Sequence, residues 1–341
     1  MTRYSADILD AAACALPWEK LAGCNILVTG ATGLIGACLV EILMSREHDY
    51  NIYAAGRNEE RARKRFRKYS DNPTFHFISY DVCSELHSDV NFHYIIHAAS
   101  NASPVFFRNN PVEVMKANVY GVANLMEYGR QHNMCRFLYV STGEIYGEGN
   151  QVYSEKDCGY LDCTSPRACY PSSKRAAETL CVSYVEEYGV DAVIARPCHT
   201  YGPHFTESDN RVFCQFVRNV LHGEDIEMKS DGSQMRSWCY VVDCSLALLY
   251  ILLKGENGNA YNVADPTSVF TIRQLAEAIA YAEGRRVVFS NPSDAERKAF
   301  TNISHAVFDT TKLQALGWSV SGEWKDKLAA MVEEERCTST K

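Results

Sequence analysis

The sequence predicts an α/β protein: a doubly wound parallel sheet, with a smaller region toward the C-terminus laid over the sheet's carboxyl edge. Three observations carry this. Short apolar runs alternate with helical patterns at the spacing of βα units. A glycine-rich turn separates the first apolar run from the first long helix. After Arg196 the alternation breaks at Pro197, Gly202 and Pro203.

The bulk composition is globular. The 341 residues are 46% hydrophobic and 22% charged, enough for one large or two moderate domains. A net charge of -8 argues against nucleic acid as a partner. The 14 cysteines form no CxxC pair and fit no zinc spacing, so no metal is expected. Several lie in apolar or helical runs, where a free thiol acts as a small hydrophobe, as in a reduced cytoplasmic protein. The polar N-terminus and the lack of a long apolar run predict neither a signal peptide nor a membrane span.

Residues 5–20 read as a short amphipathic helix. Asn25-Ile26-Leu27-Val28-Thr29 is a buried strand. Gly30-Ala31-Thr32-Gly33-Leu34-Ile35-Gly36 follows and opens a helix to about Met44. The glycines permit a tight turn, close approach to a pyrophosphate and tight helix packing, while the helix N-terminus offers amides to the anion. The alternative is a merely structural βα turn. Gly30, Thr32, Gly33, Leu34, Ile35 and Gly36 are therefore candidate cofactor contacts.

A second strand spans Asn51–Ala55 and ends in Gly56-Arg57-Asn58. An acidic residue there would take the adenosine ribose hydroxyls of NAD, and this chain has none. Arg57, with Arg61, Arg63, Lys64 and Arg65, would suit the extra phosphate of NADP, or is simply a solvated basic face. Glu59 is a further candidate for the ribose. The third strand, Phe75–Tyr80, ends at Asp81-Val82, placed to read adenine. The fourth, Tyr94–Ala99, ends in the small residues Ala98 and Ala99, suited to a dinucleotide passing close by. A helix at Pro111–Asn124 precedes the fifth strand, Phe137–Val140.

That strand delivers Ser141-Thr142-Gly143-Glu144-Ile145-Tyr146-Gly147 to its carboxyl end, where ligands bind in open parallel sheets. Tyr170 and Lys174 stand one turn apart on the next helix, which runs to about Tyr188. At that spacing the ammonium lowers the phenol's pKa and makes a base usable near neutral pH. A sixth strand covers Val190–Ala195. Past Arg196 come a helix at Arg211–Leu221, a strand near Ile226–Lys229 and an irregular stretch from Asp231 to Arg236. Helices at Val242–Leu253, Thr271–Tyr281 and Trp324–Glu335 and a short strand at Ala260–Ala264 complete the reading. The dinucleotide-binding domain is expected to be 1–196 plus about 240–264, with 197–239 and 265–341 as the second region.

The GxxGxxG turn, Asp81-Val82, the Thr142 segment and Tyr170-x3-Lys174 occur in the order that resembles the extended short-chain dehydrogenase/reductases, the NAD-dependent epimerase/dehydratase group with a Rossmann domain. The likeness runs from Asn25 to Leu253, with a looser echo at Phe308–Leu313 and Gly317-Trp318. It is similar above all to the UDP-glucuronate decarboxylases. His97-Ala98-Ala99-Ser100 to Ser103-Pro104, the Ser141–Gly147 segment, Pro166–Tyr170, Lys174–Thr179, and Asn210-Arg211-Val212 with Arg236 before Tyr240–Asp243 carry that likeness.

The resemblance implies a nucleotide-sugar substrate, a tightly bound NAD (NADP as the alternative) and a transient 4-keto sugar. It implies catalytic roles for Thr142, Glu144, Tyr170, Lys174 and Arg236. The substrate would meet Ser103, Glu144, His199, Arg211 and Arg236, and Lys174 and Tyr170 would also contact the cofactor. Simple 4-epimerases generally lack a glutamate at the Glu144 position. The alternatives are a 4,6-dehydratase or epimerase, or a non-catalytic NAD(P)-binding sensor or scaffold.

Four departures bear on the substrate. Gly143 stands where the family has Ser, or Asp in the dTDP-glucose dehydratases. Pro171-Ser172-Ser173 replaces Asp-Glu-Gly, His199 replaces an asparagine that helps hold phosphates, and the acidic residue after the second strand is missing. Relatives often dimerise through the helices flanking the tyrosine. A homodimer is therefore expected here through Val114, Val119 and Leu125 with Ala176, Leu180 and Tyr184.

Overall fold

The computed structural model describes residues 1–149, 151–206, 209–291, 304–320 and 322–339. Helix α1 (Arg3–Ala13) leads into β1 (Asn25–Thr29), α2 (Leu34–Met44), β2 (Asn51–Gly56), α3 (Glu59–Arg65), β3 (Phe75–Ser79) and β4 (Tyr94–His97). Then come α4 (Pro104–Asn109), α5 (Pro111–Gln131), β5 (Arg136–Val140), β6 (Gln151–Tyr153), α6 (Cys169–Tyr188), β7 (Ala192–Pro197) and β8 (His199–Tyr201). The chain continues through α7 (Val212–Leu221), β9 (Ile226–Met228), β10 (Met235–Tyr240), α8 (Val241–Lys254), β11 (Ala260–Val263), β12 (Val269–Thr271) and α9 (Ile272–Ala282). It closes with β13 (Val287–Phe289), β14 (His305–Phe308), α10 (Thr311–Gln314) and α11 (Trp324–Ser339).

Seven parallel strands form the main sheet in the order β11-β7-β5-β4-β1-β2-β3. In the central strands β1, β4, β5 and β7 the side chains are buried on both faces, which is why these strands read as continuous apolar runs rather than alternating ones. One face packs on α1, α2 and α8 and the other on α5 and α6. Helix α2 is nearly all buried because it packs on the sheet with α8 beside it and α1 against it. The strand order reverses between β1 and its neighbours β2 and β4, which opens a crevice at their carboxyl ends. A second sheet has the order β12-β10-β14-β6, with β8 beside β10. After β7 leaves the main sheet the chain joins this second sheet two residues on, as β8, so His199 lies at the junction of the two.

A buried polar network ties the sheets together. Arg196 on β7 grips Glu178 of α6 with Nη2–Oε2 at 2.7 Å. The Ser141 hydroxyl donates to the same carboxylate at 2.5 Å. Arg196 also donates to the Tyr146 hydroxyl at 3.1 Å, and Tyr146 donates to Asn262 Oδ1 at 2.5 Å. Asn262 Nδ2 then reaches the carbonyls of Tyr153 on β6 and Asp309 after β14.

The structure corrects several expectations. The first helix ends at Ala13, before Pro17, instead of running to residue 20. Arg236 lies on strand β10, not in an irregular stretch, and the segment after Arg196 includes β8. Helix α4 and the three- and four-residue strands β6, β12, β13 and β14 were not expected; they are too short to show a period. Val114 and Leu125 do not form an outer face: both are buried, Val114 against Phe107 and Tyr170 and Leu125 against the sheet. Among the described residues no helix is long and apolar enough to cross a membrane.

Removing one member of a buried ion pair leaves the other charge without compensation. Arg196→Met is therefore expected to lower unfolding free energy by about 3–5 kcal/mol, read from the denaturant midpoint.

Candidate active site

The crevice is shaped first by glycine. Gly30 has φ +67°, and a Cβ there would lie 2.6 Å from the Ala98 carbonyl oxygen and 2.7 Å from Ala99 Cα. A Cβ on Gly36 would lie 2.3 Å from the Gly30 carbonyl oxygen. Strand, turn and helix can approach this closely only without side chains at these positions. Gly33 is the N-cap of α2 and is exposed, so the helix opens onto the crevice beside half-buried Thr32, Leu34 and Ile35. This bare turn and its helix N-terminus fit the pyrophosphate of a dinucleotide.

At the ends of β2 and β3, Arg57 Nη1 lies 3.2 Å from Glu113 Oε1 and 3.9 Å from Asp81 Oδ2. Asp81 Oδ1 accepts from the Cys83 amide, and the Val82 carbonyl accepts from Asn124. Part of the basic run is engaged elsewhere: Arg63 pairs with Glu59 and Arg65 with buried Glu41.

The carboxyl end of β5 and the start of α6 bring Thr142, Glu144 and Tyr170 together. Thr142 caps the short turn 143–146, its hydroxyl accepting the Glu144 amide at 3.2 Å. Tyr170 is buried, stacked on Phe107 with centroids 4.4 Å apart. Its phenol is pushed above the ordinary tyrosine value, first by burial and then by the Glu144 carboxylate. A hydrogen bond with Thr142 and the Arg211 and Arg167 guanidiniums pull the other way. Glu144 is itself paired with Arg167 at 2.8 Å.

Lys174 is not among the groups that act most strongly on the phenol. Its ammonium donates to the Val140 carbonyl at 2.9 Å and lies 4.7 Å over the Tyr139 ring and 5.8 Å from the Tyr170 ring centroid. Burial brings its own pKa down to about 7, with Glu178 one turn on opposing that fall. Ser173 is turned away from any ligand. Its hydroxyl is buried, donates to the Cys169 carbonyl at 2.6 Å and accepts from Asn118 Nδ2. Cys169 is buried against Phe107, a packing role.

The second sheet supplies cations. Arg236 is 4% exposed and donates to its neighbour's carbonyl, that of Met235, at 2.8 Å. His199 lies with its ring against Trp238, centroids 5.2 Å apart. The surrounding protein, and then Arg236 and Arg211, push its pKa down to about 4, so it is neutral at neutral pH. Arg211 forks onto Asp209, with Nη2–Oδ2 at 2.6 Å, and its charge reaches Tyr170. Ser103 caps α4 and donates to Asn210 Oδ1 at 3.0 Å, joining the two sides of the site.

Three neighbours of these groups escaped the sequence reading as site residues: Arg167 on Glu144, Asn118 beneath Ser173, and Phe308, whose ring tip touches Gly143. Arg167 lay inside a quoted motif, but no spacing marked its partner. Asn118 carried a faint signal as a polar residue on the inner face of α5.

The depressed lysine has a consequence for stability. Folded Lys174 holds its proton more weakly than the unfolded chain does, with a pKa of about 7 against 10.5. The resulting destabilisation is full below about pH 7 and fades as pH rises toward 10.5. Lys174→Met is expected to melt above the wild-type chain at and below pH 7, and this gain should shrink across that window. A gain that grew with pH would contradict the assignment.

Residues 26–264 match the model of the NAD dependent epimerase/dehydratase family. UDP-glucuronic acid decarboxylase 6 of Arabidopsis thaliana is 33% identical over 316 residues, 92% of this chain and 89% of that protein. UDP-glucuronic acid decarboxylase 1 of Xenopus tropicalis is 30% identical over 300 residues, 86% of this chain and 68% of that protein. Two solved structures share the fold. UDP-glucose 4-epimerase of Thermotoga maritima, with UDP-glucose, superposes with a TM-score of 0.80 at 24% identity, covering 92% of this chain and 99% of that one. A dTDP-glucose 4,6-dehydratase of Streptomyces venezuelae with NAD bound gives 0.79 at 22% identity, covering 93% and 98%. With its glycine turn at the strand-order reversal and its tyrosine at the carboxyl end of β5, the chain belongs to the NAD dependent epimerase/dehydratase family.

Proposed function

We propose that the chain decarboxylates a nucleotide-linked uronic acid, UDP-glucuronate, through a transient 4-keto sugar. The observation that carries this reading is the meeting of Thr142, Glu144 and Tyr170 at the carboxyl end of the main sheet; buried Arg236 lies in the second sheet, its charge reaching His199. The 30–33% identity to UDP-glucuronic acid decarboxylases supports it.

Gly30, Thr32, Gly33, Leu34, Ile35 and Gly36 would hold the pyrophosphate of NAD. Asp81, Val82, Ala98 and Ala99 would line its path. NAD is favoured over NADP because Asp81 and Glu113 crowd Arg57, where an added phosphate would meet two carboxylates. A bound nicotinamide would accept one hydride from the sugar and later return it, so the reaction has no net redox change.

Tyr170 would take the proton of the C4 hydroxyl while Thr142 holds the same oxygen. Thr142, Arg211 and Arg167 are the groups that favour the phenolate. Lys174, with a pKa of about 7, can give or accept a proton at neutral pH. The new ketone makes the C6 carboxylate a β-keto acid, which loses carbon dioxide readily. Arg236 would hold that carboxylate or a phosphate through its fork of donors. Glu144 would manage the proton at C5, with Arg167 setting its position. His199, neutral between two arginines, would bind as a hydrogen-bonding group rather than a charge, beside Arg211 and Ser103.

The test is incubation of the purified chain with UDP-glucuronate and weighing of the product. Tyr170→Phe is expected to cut turnover by about 10²–10⁴-fold with its melting profile unchanged. Undiminished turnover would remove Tyr170 from the mechanism.

The same reading includes a homodimer. Helices α5 and α6 leave Met115, Tyr120 and Val182 exposed on their outer faces, at 44%, 49% and 38%. Tyr120→Glu is expected to shift sedimentation from dimer to monomer. A wild-type chain that sediments as a monomer would rule the dimer out.

A further inference from the structure

Position 143 has no side chain, and the reason lies far away in the sequence. A Cβ built on Gly143 would fall 1.9 Å from Phe308 Cζ and 2.4 Å from Cε2. The ring of Phe308 therefore occupies the volume that any side chain at 143 would need. It is firmly held there. The ring is 8% exposed and sits edge-on to Tyr146, centroids 5.5 Å apart, and to Tyr153, 6.4 Å apart. The Phe308 amide donates to Ser237 Oγ at 3.0 Å. In the paired strands β10, β14 and β6, Arg236 aligns with Ala306, and Phe308 with Tyr153. Alternation along β14 puts Ala306 and Phe308 on one face, so the ring and the Arg236 side chain leave the sheet on the same side. On the other side of the ring stands the turn that carries Thr142 and Glu144.

We propose that Phe308 is a specificity-determining residue: by taking the place of a side chain at position 143, it leaves the wall between Thr142 and Glu144 without a hydroxyl or an acid, so the site releases carbon dioxide but not water. This rests on the decarboxylase reading above.

The two outcomes need different groups. When carbon dioxide leaves a 4-keto uronic acid, the C5–C6 bond breaks and its electron pair enters the ketone as an enolate. One proton then returns to C5, and nothing has to be protonated at C6. When water leaves a 4-keto hexose, a proton is taken from C5, the C6–O bond breaks, and the departing hydroxide must gain a proton from a nearby acid. With Gly143 bare and Phe308 in place, that wall holds no such donor, and Glu144 is already paired with Arg167. The apolar ring also keeps water away from the departing carboxylate.

The experiment offers the purified enzyme UDP-glucuronate and, separately, UDP-glucose, and weighs the products. The wild-type chain is expected to release carbon dioxide from the first and no water from the second. The paired variant Gly143→Asp with Phe308→Ala, in which an acid has room, is expected to release water from UDP-glucose at least about tenfold faster than wild type. Gly143→Asp alone, with the ring in place, is expected to melt lower and gain no such activity. Phe308→Leu keeps an apolar anchor without the ring tip. It is expected to retain the fold and to let reduced cofactor accumulate during turnover of UDP-glucuronate, seen in the near-ultraviolet, because water now reaches the carboxylate and slows its loss. Unchanged product masses and no accumulation of reduced cofactor, in variants that melt cooperatively, would overturn the role of Phe308. Failure of the wild-type chain itself to decarboxylate UDP-glucuronate would instead sink the reading on which this one rests.

Discussion

The Arg196–Glu178 ion pair is the interaction on which the site depends. Both charges are largely withdrawn from water, with side chains 12% and 10% exposed, so each holds the other in place. Through them α6 is fixed against β7, and α6 is the helix that carries Tyr170 and Lys174. Ser141, next to Thr142, donates to the same carboxylate, which pins the end of β5. Tyr146 and Asn262 extend the grip to β6 and to the segment after β14. One buried pair thus sets the spacing between the turn, the helix of Tyr170 and Lys174, and the strands that bring Arg236 and Phe308. Glu178 also lies one turn after Lys174, where its charge limits how far burial depresses the ammonium.

That electrostatic balance refines the familiar picture of a lysine activating a tyrosine. The phenol is raised and the ammonium lowered, both mainly by burial. Their proton affinities, nearly equal in the free side chains, are therefore pushed apart, while their direct contact is weak. The groups that favour a phenolate are Thr142, Arg211 and Arg167. All three lie outside the Tyr-x3-Lys motif, on different segments of the chain. The phenol's proton affinity is thus a property of the assembled site more than of the five-residue stretch.

How legible was this in the sequence? The seven-stranded core was, for a plain reason: strands buried on both faces must be apolar throughout, and the glycines at 30 and 36 answer to backbone approaches that no other residue permits. Thr142, Tyr170 and Lys174 follow because they lie at strand and helix ends of that core. Arg236 was named as a candidate but misplaced as structure, since β10 follows a glycine-containing turn and pairs with strands of three and four residues that show no period. Ser173 was read as one of the departures that bear on the substrate. Its side chain is short enough to fold back on the helix carbonyls, and one buried asparagine completes its bonding. Val114 and Leu125 were assigned to an outer face because helical spacing says which residues share a face, not which way that face points.

These misses have a common physical origin. The redox half of the site is built from long, periodic elements whose pattern is written locally. The selective half is built from β6, β8, β10 and β14, whose positions depend on pairing across long stretches of chain. A glycine at 143 looks, in sequence, like a lost hydroxyl. In the fold it is the imprint of an aromatic ring supplied by a strand near the other end of the chain. Loss and replacement are then one change, because neither side chain can be present with the other unaltered. A site that varies in such pairs can change what it does to a sugar while its tyrosine, lysine and glycine turn stay as they are.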